Sequence, residues 1–271
     1  MYASDFIFDG INLSSFGCVI CDFEGSTGVE EVEAGAPLNF KTVSTRKGNR
    51  FPLIDVGYDN ALEVTFDICK DPCAAATNEA AEITDTEYLA LMRWLVRNQF
   101  LTIRFLDDRL SMNRYYNGAF SSVIKLTIDS RLYGLRLTFV TDRPYALGAS
   151  ISSTHEMTSG TAWNYEDTSH LTGTIIPDLE ITLHAAGTLR LTNQFTGKTM
   201  VITDCTSGEK ITFYGDSLTM FSTNTSKNIW NRFNYEFFKI GNRIGNSVNQ
   251  ITSSLDCTLK ITYRPIIKDA P

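Results

Sequence analysis

Apolar and polar residues alternate with period two over most of this chain. The stretch RLYGLRLTFVTDRPYALG, Arg131 to Gly148, sets Tyr133, Leu135, Leu137 and Phe139 against Gly134, Arg136, Thr138 and Val140. That period predicts a β-strand with one strongly apolar face. Pro144 cannot donate to a ladder and holds Arg143 extended, so the strand is expected to stop and the chain to leave its sheet there. Shorter pieces of the same kind precede it: FIF, FGCVICDF, LNFKTVST, ALEVTFDIC and FLTIRFL.

One segment changes period. In ITDTEYLALMRWLVRNQ, Thr84 and Glu87 have capping-box spacing, and Tyr88, Leu91, Met92, Leu95 and Val96 mark one face of a helix over about residues 85–98. Trp94 falls off that stripe and reads as a solvated flank or a second contact surface.

Residues 29–58 alternate too, but their apolar content is thin and Gly35, Pro37, Gly48 and Pro52 punctuate them. They read as a two-stranded arm reaching away from the core, because an isolated hairpin is marginal until something pairs with it. Phe40, Val43, Arg46, Phe51 and Leu53 are its candidate subunit-interface residues.

After Gly148 the small, polar run ASISSTHEMTSG suggests a linker over 149–158 or a peripheral strand. Beyond it come LEITL, TLRLTN, TMVIT, KITFYG, LTMF, FNYEFFKI and DCTLKITY, short strands with frequent turns and no helical period. This is the pattern of an antiparallel β-sandwich, expected over 159–271. The fold class is therefore mainly β with one α-helix: an N-terminal β domain over 1–148, then the sandwich.

At 271 residues, two modest domains fit the length, and 43% hydrophobic with 20% charged residues is ordinary for folded protein. A formal net charge of -7 argues against a protein that binds by neutralising phosphates. Residues 1–148 hold 14 Lys+Arg against 20 Asp+Glu, a balance of -6, so nearly all of the excess lies in the first domain. The N-terminus MYASDFIFDG lacks the basic and long apolar regions of a signal peptide, and YLALMRWLV is too short for a bilayer span. A soluble protein made in a cytoplasm is expected, with no membrane insertion.

Little catalytic chemistry is legible. Cys18 and Cys21 tempt one towards zinc, but in FGCVICDF strand parity turns the two thiols to opposite faces, and the second pair, Cys69 and Cys73, has a different spacing. Reduced, mostly buried thiols and no metal are expected, with Cys257 aligned on Leu259, Ile261 and Tyr263 as a small core residue. TGKT at 196–199 lacks the glycine that a phosphate loop requires at position 192, which is Thr, and reads as a turn. His155, His170 and His184 have no partners fixed by spacing, and no nucleophile or metalloprotease motif occurs. Aromatic residues at 11% do stand out. Trp163 and Trp230, in TAWNYEDTSH and NIWNRFNYEFF, are sugar-contact candidates if the sandwich is an adhesin; otherwise they are packing.

FIFDGINLSSFGCVI, NRYYNGAF, the Arg131–Gly148 strand, IPDLEITLHAAGTLRLTN, GEKITFYGD and CTLKITYRP, in that order, resemble the distal tail proteins of long non-contractile-tailed bacteriophages over about residues 6–265. The resemblance implies a homohexameric ring at the virion tail tip, assembled in the host cytoplasm. The N-terminal domain would form the ring, its hairpin wrapping a neighbouring subunit, and a galectin-like C-terminal sandwich would project outwards. Such a hub joins the last tail-tube ring and the tape-measure protein to the tail-associated spike protein and, in many phages, to receptor-binding proteins, with DNA only passing through its channel. It implies no catalytic residue, cofactor or metal. This chain has no long insertion between its C-terminal strands of the kind that carries carbohydrate-binding modules, so direct adhesion is the lesser expectation.

Overall fold

A computed structural model describes residues 3–23, 36–44, 51–74, 77, 79–106, 113–170 and 172–268. The fold is mainly β, with one α-helix among the described residues. It divides into two compact units, and the division falls after Gly148.

The first unit is built on β1 (Asp5–Phe8), β2 (Ile11–Asn12), β3 (Cys18–Cys21), β4 (Leu38–Thr42), β5 (Leu53–Tyr58), β6 (Glu63–Lys70), helix α1 (Asp85–Leu95), β7 (Leu101–Leu106), β8 (Tyr116–Ile128), β9 (Arg131–Thr141) and β10 (Ala146–Leu147). Seven of these strands form one sheet, ordered β2-β1-β7-β8-β9-β6-β3, with every paired neighbour antiparallel. Alternation along β9 explains its place near the middle: Leu135, Leu137 and Phe139 are buried, whereas Arg136 and Thr138 meet Asp67 and Thr65 across β6 on the other face. The strand ends where expected, and the Thr141 hydroxyl sits 2.9 Å from the Leu62 carbonyl.

Helix α1 starts as its sequence dictates. The Thr84 N–H donates to Glu87 Oε2 at 2.8 Å, and the Glu87 N–H reaches back to the Thr84 hydroxyl. The helix stops at Leu95 rather than near residue 98; Val96 is extended, and Arg97 Nε donates to the Trp94 carbonyl at 3.2 Å. Its buried face is also rotated from the expected stripe. Leu91, Trp94 and Leu95 are buried, Trp94 to 3% exposure, while Val96 is exposed. The reason is a pocket that local sequence does not announce. Phe6 and Phe16 stack on the indole at 5.4 and 4.7 Å, and Nε1 donates to the Phe8 carbonyl at 3.0 Å. A buried indole needs both its apolar contacts and an acceptor; β1 supplies the acceptor and the Phe6 ring, and the turn Leu13–Phe16 supplies the other ring.

The second unit contains β11 (Ile151–Met157), β12 (Ala162–Glu166), β13 (Gly173–Ile175), β14 (Asp178–Leu183), β15 (Gly187–Asn193), β16 (Lys198–Cys205), β17 (Lys210–Tyr214), β18 (Thr219–Ser222), β19 (Ile240–Asn242), β20 (Val248–Ser253) and β21 (Cys257–Tyr263). Two antiparallel sheets, β11-β21-β14-β17-β18 and β12-β20-β15-β16, contribute alternate residues to one core that includes Leu179, Ile181, Leu191, Ile202, Phe213, Ile251 and Ile261. Cys257 is fully buried in that core, and within TGKT the turn ends at Gly197 and Lys198 opens β16.

Three expectations need correction here. Of the two readings of residues 149–158, the linker gives way to the peripheral strand: Ile151–Met157 pair with β21 from Tyr263 to Cys257, because an edge strand needs only one good ladder and can stay polar outside. FNYEFFKI is not a strand before Ile240. Asn234 accepts from the Val201 N–H and donates to the Thr199 carbonyl, so its side chain takes the ladder position on the β16 edge and the chain bends away. Finally, the sandwich does not run to the C-terminus. Ile266 ends the second unit, and Ile267, 4% exposed, belongs to the core of the first.

A buried ion pair makes the sandwich acid-sensitive. Arg232 Nη2 donates to Glu209 Oε1 at 2.6 Å, and the same carboxylate accepts from the Ser222 hydroxyl and the Thr206 N–H, with both charged side chains almost wholly buried. Burial alone pushes the Glu209 carboxyl up, but the Arg232 and Ser222 hydrogen bonds outweigh it and hold the group down at about 2. A folded value below the unfolded one means stability that is complete above about pH 4.5 and is lost as pH falls towards 2. Thermal melts between those limits should show a loss of about 3 kcal/mol in the sandwich transition, and Glu209→Gln should flatten that dependence while costing about 3–5 kcal/mol at neutral pH. Equal acid sensitivity in the Gln variant would count against this assignment.

Candidate functional site

The arm is a two-stranded sheet separate from the main one. In its register Leu38 faces Tyr58, Phe40 faces Val56, and Lys41 faces Asp55, with an irregularity after Lys41 that brings Thr42 opposite Leu53. Alternation therefore sorts the hairpin into two faces. Leu38, Phe40, Val56 and Tyr58 lie together on one, whereas Asn39, Lys41 and Asp55 lie on the other. The polar face satisfies itself, through a 3.5 Å Lys41–Asp55 ion pair and an Asn39 amide donating to Asp59. The apolar side chains have no such closure. Phe40, Val43, Phe51 and Leu53 are 59%, 50%, 64% and 54% exposed, and Ile54 and Val56 are exposed beside them.

Of the five interface residues expected from sequence, the structure thus places Phe40, Val43, Phe51 and Leu53 on the hairpin and in the open; Arg46 lies outside the described residues. Ile54 and Val56, which alternate with Asp55 and Gly57 along the same strand, are exposed as well and were not singled out from sequence.

Trp163 and Trp230 do not come together. Trp163 lies on β12 opposite Ile251, stacks on the His155 ring at 4.8 Å and meets Tyr165 edge-on. Trp230 lies in the short helical turn Ile229–Asn231, capped by the Asn228 side chain, and contacts Phe233 and Tyr235. Both indoles pack against the sandwich core. Tyr235 was not singled out beyond its setting, yet it is 63% exposed and sits at φ +58°, a left-handed conformation uncommon for a non-glycine residue. His184 contacts Glu156 and Thr258 on the surface at 3.2 and 2.9 Å. Among the described residues no three His, Cys, Asp or Glu side chains gather in a metal-binding group, and no helix is long and apolar enough to cross a membrane.

The described residues thus leave an apolar hairpin open to solvent beside the sheet unit, followed in the chain by a β-sandwich. Comparison with known proteins gives the family and the fold. The family model for a phage tail protein N-terminal domain matches residues 1–143, and that for a phage tail C-terminal domain matches residues 145–263. The chain belongs to the phage tail protein family. No curated protein sequence matches it. Among solved structures, the Dit protein (gp 19.1) of phage SPP1, described as a paradigm of the hub adsorption apparatus in phages that infect Gram-positive bacteria, superposes with a TM-score of 0.69 at 11% identity, over 96% of this chain and 98% of that one. A chain of the phage p2 baseplate in its activated conformation with strontium aligns over 96% of this chain and 97% of its own with a TM-score of 0.47 at 9% identity. The resemblance expected from sequence is thus met at the level of family and fold, and the protein is a structural component of a phage tail.

Proposed function

We propose that this phage tail protein is a distal tail, or baseplate hub, protein that assembles as a homohexameric ring at the tail tip. The observation that carries the reading is the hairpin's uncovered apolar face. A two-stranded hairpin cannot order itself in water, and one that displays Phe40, Phe51, Leu53 and Ile54 needs a second surface to cover it. A neighbouring copy supplies that surface six times over in a closed ring. Family membership and the likeness of fold to the SPP1 hub protein support the reading.

In this role the first unit forms the ring and the galectin-like sandwich projects outwards. The ring joins the tail-tube and tape-measure proteins on one side to the spike protein and any receptor-binding protein on the other. DNA passes through the channel, assembly takes place in the host cytoplasm, and no catalytic step is involved. Light scattering on purified protein over a range of concentrations tests the ring directly. Six-fold mass is expected, and a monomer persisting at the highest concentration would overturn the reading.

A second reading, an adhesin acting through the sandwich, rests on Tyr235, whose exposed and strained placement beside Trp230 makes a small aromatic platform. The hub reading expects no tight sugar binding there. A glycan array should be blank; a signal abolished by both Trp230→Ala and Tyr235→Ala in folded protein would promote the adhesin.

A further inference from the structure

Strand β8 outruns its neighbour. In the ladder between them Leu101, the first residue of β7, faces Gly118, whereas β8 continues to Ile128. From Ala119 onwards no strand among the described residues lies along that edge. On the other side the ladder with β9 reaches Ile128, and its phase is fixed at one end. The Asp142 N–H donates to the Asn117 carbonyl at 2.8 Å, and the Thr141 N–H donates to the Leu62 carbonyl at 3.0 Å. Successive residues of β9 thus bond alternately to β8 and to β6, so Thr138, Arg136 and Gly134 bond to Ser122, Ile124 and Leu126. The N–H and C=O groups of Val123 and Lys125 then point out of the open edge.

A free strand edge is ordinarily guarded by charge, because it will otherwise pair with any extended chain. Lys125 is the one charged residue between Ala119 and Ile128, and it is turned aside: its Nζ lies 4.1 Å from the centre of the Tyr88 ring on α1. Ile124 and Ile128, on the opposite face of the strand from Lys125, are 53% and 61% exposed. Water can satisfy the free backbone groups, but it does not cover two isoleucines.

We propose that the open edge of β8 receives the hairpin of a neighbouring copy, which adds a strand to the main sheet there. The inference rests on the ring reading and names the surface on which the hairpin lands. A closed ring needs two different surfaces on every subunit, one that gives and one that receives. The hairpin is suited to give: β4 and β5 form a sheet of their own, so each strand is paired on one side only among the described residues. Its exposed Phe40, Ile54 and Val56 bring the apolar cover that Ile124 and Ile128 lack.

Length and the remaining edges of the first unit narrow the occupant to that hairpin. The six residues of β5 fit within the open stretch of β8. At the ends of the main sheet, β2 is two residues long, and β3 is already held on its free side by the Ile20 N–H donating to the Ser4 carbonyl at 2.9 Å. Pairing β8 with β8 of a second copy would be a two-fold contact, which closes a dimer and leaves the hairpin uncovered.

The test uses the full chain, dilute and concentrated. Hydrogen exchange read residue by residue should slow about 100-fold or more at the Val123 and Lys125 amides when the protein assembles. A photoreactive benzophenone side chain placed at Thr127, in a mixture of light and isotope-labelled protein, should cross-link between chains to residues 38–58. Lys125→Pro removes an N–H that the subunit itself does not use, so it should fold and yet need a roughly tenfold or higher concentration to assemble. Lys125→Ala keeps that N–H and should assemble as the wild type does. A six-fold mass with both amides still exchanging fast, a cross-link to any other segment, or a folded proline variant that assembles like wild type overturns the proposal and leaves the ring reading standing. A wild-type chain that stays monomeric overturns both. Exchange in the wild-type protein decides alone if a variant fails to fold.

Discussion

Phe40→Asp combined with Leu53→Asp should convert the ring into folded monomers. Both side chains are more than half exposed in the single chain, so the double variant leaves the subunit's own core untouched. In a ring they become buried, and two carboxylates placed without partners in an apolar contact cost several kcal/mol. The concentration needed for assembly should rise about a thousandfold or more, because each 1.4 kcal/mol is a factor of ten. Removing residues 38–58 outright should do the same. A complementary variant in which a short flexible linker replaces 149–266, so that Ile267 is retained, should still form the ring. Salt should help both intact and shortened rings, since a first-domain balance of -6 repeated six times is about -36. Masses from light scattering at low and high salt decide the matter, and a ring that survives loss of the hairpin's apolar face removes the basis of the hub reading.

Trp94→Ala is expected to be the most damaging single substitution in the first unit. It empties the slot between Phe6 and Phe16 and leaves the Phe8 carbonyl without its 3.0 Å donor. The expected cost is about 3–5 kcal/mol, a fall in midpoint of roughly 6–20 °C. Trp94→Phe keeps most of the ring contact and loses only the donor, so about 1–2 kcal/mol should separate it from wild type. Calorimetry should show the loss in one transition while the sandwich transition stays in place. If the alanine variant melts within a degree or two of wild type, α1 does not anchor the sheet.

What the sequence revealed follows from where the determining partner lies. Strand β9 was legible because its own alternation decides its faces. Strand β8 was not, although it is the longest: a bulge between Phe120 and Ser122 inverts its phase, so that Phe120 and Val123 share a face three residues apart and period two disappears. Trp94 was misplaced because its acceptor comes from the Phe8 backbone, which no local pattern can announce. The hairpin arm was visible as alternation without enough apolar content, and the exposure of Phe40 and Phe51 is the physical form of that shortage. Strand parity told correctly that Cys18 and Cys21 face apart, yet it could not tell which strand lies beside β3. The pairing of β3 with β6 emerged only from the ladder. Arg46 marks the limit in the other direction, a charged residue inside the arm that only the sequence describes.

Ile267, buried in the core that includes Phe6 and Phe139, is made after the whole of the sandwich. A ribosome completes 149–266 before it supplies the residue that closes the first unit. Synthesis therefore runs from the inside out: the sandwich is a finished, independently cored insertion while the first unit still waits for the Ile267 contact. For the same reason, a tag fused at the C-terminus reports on the first unit and not on the sandwich that precedes it in the chain.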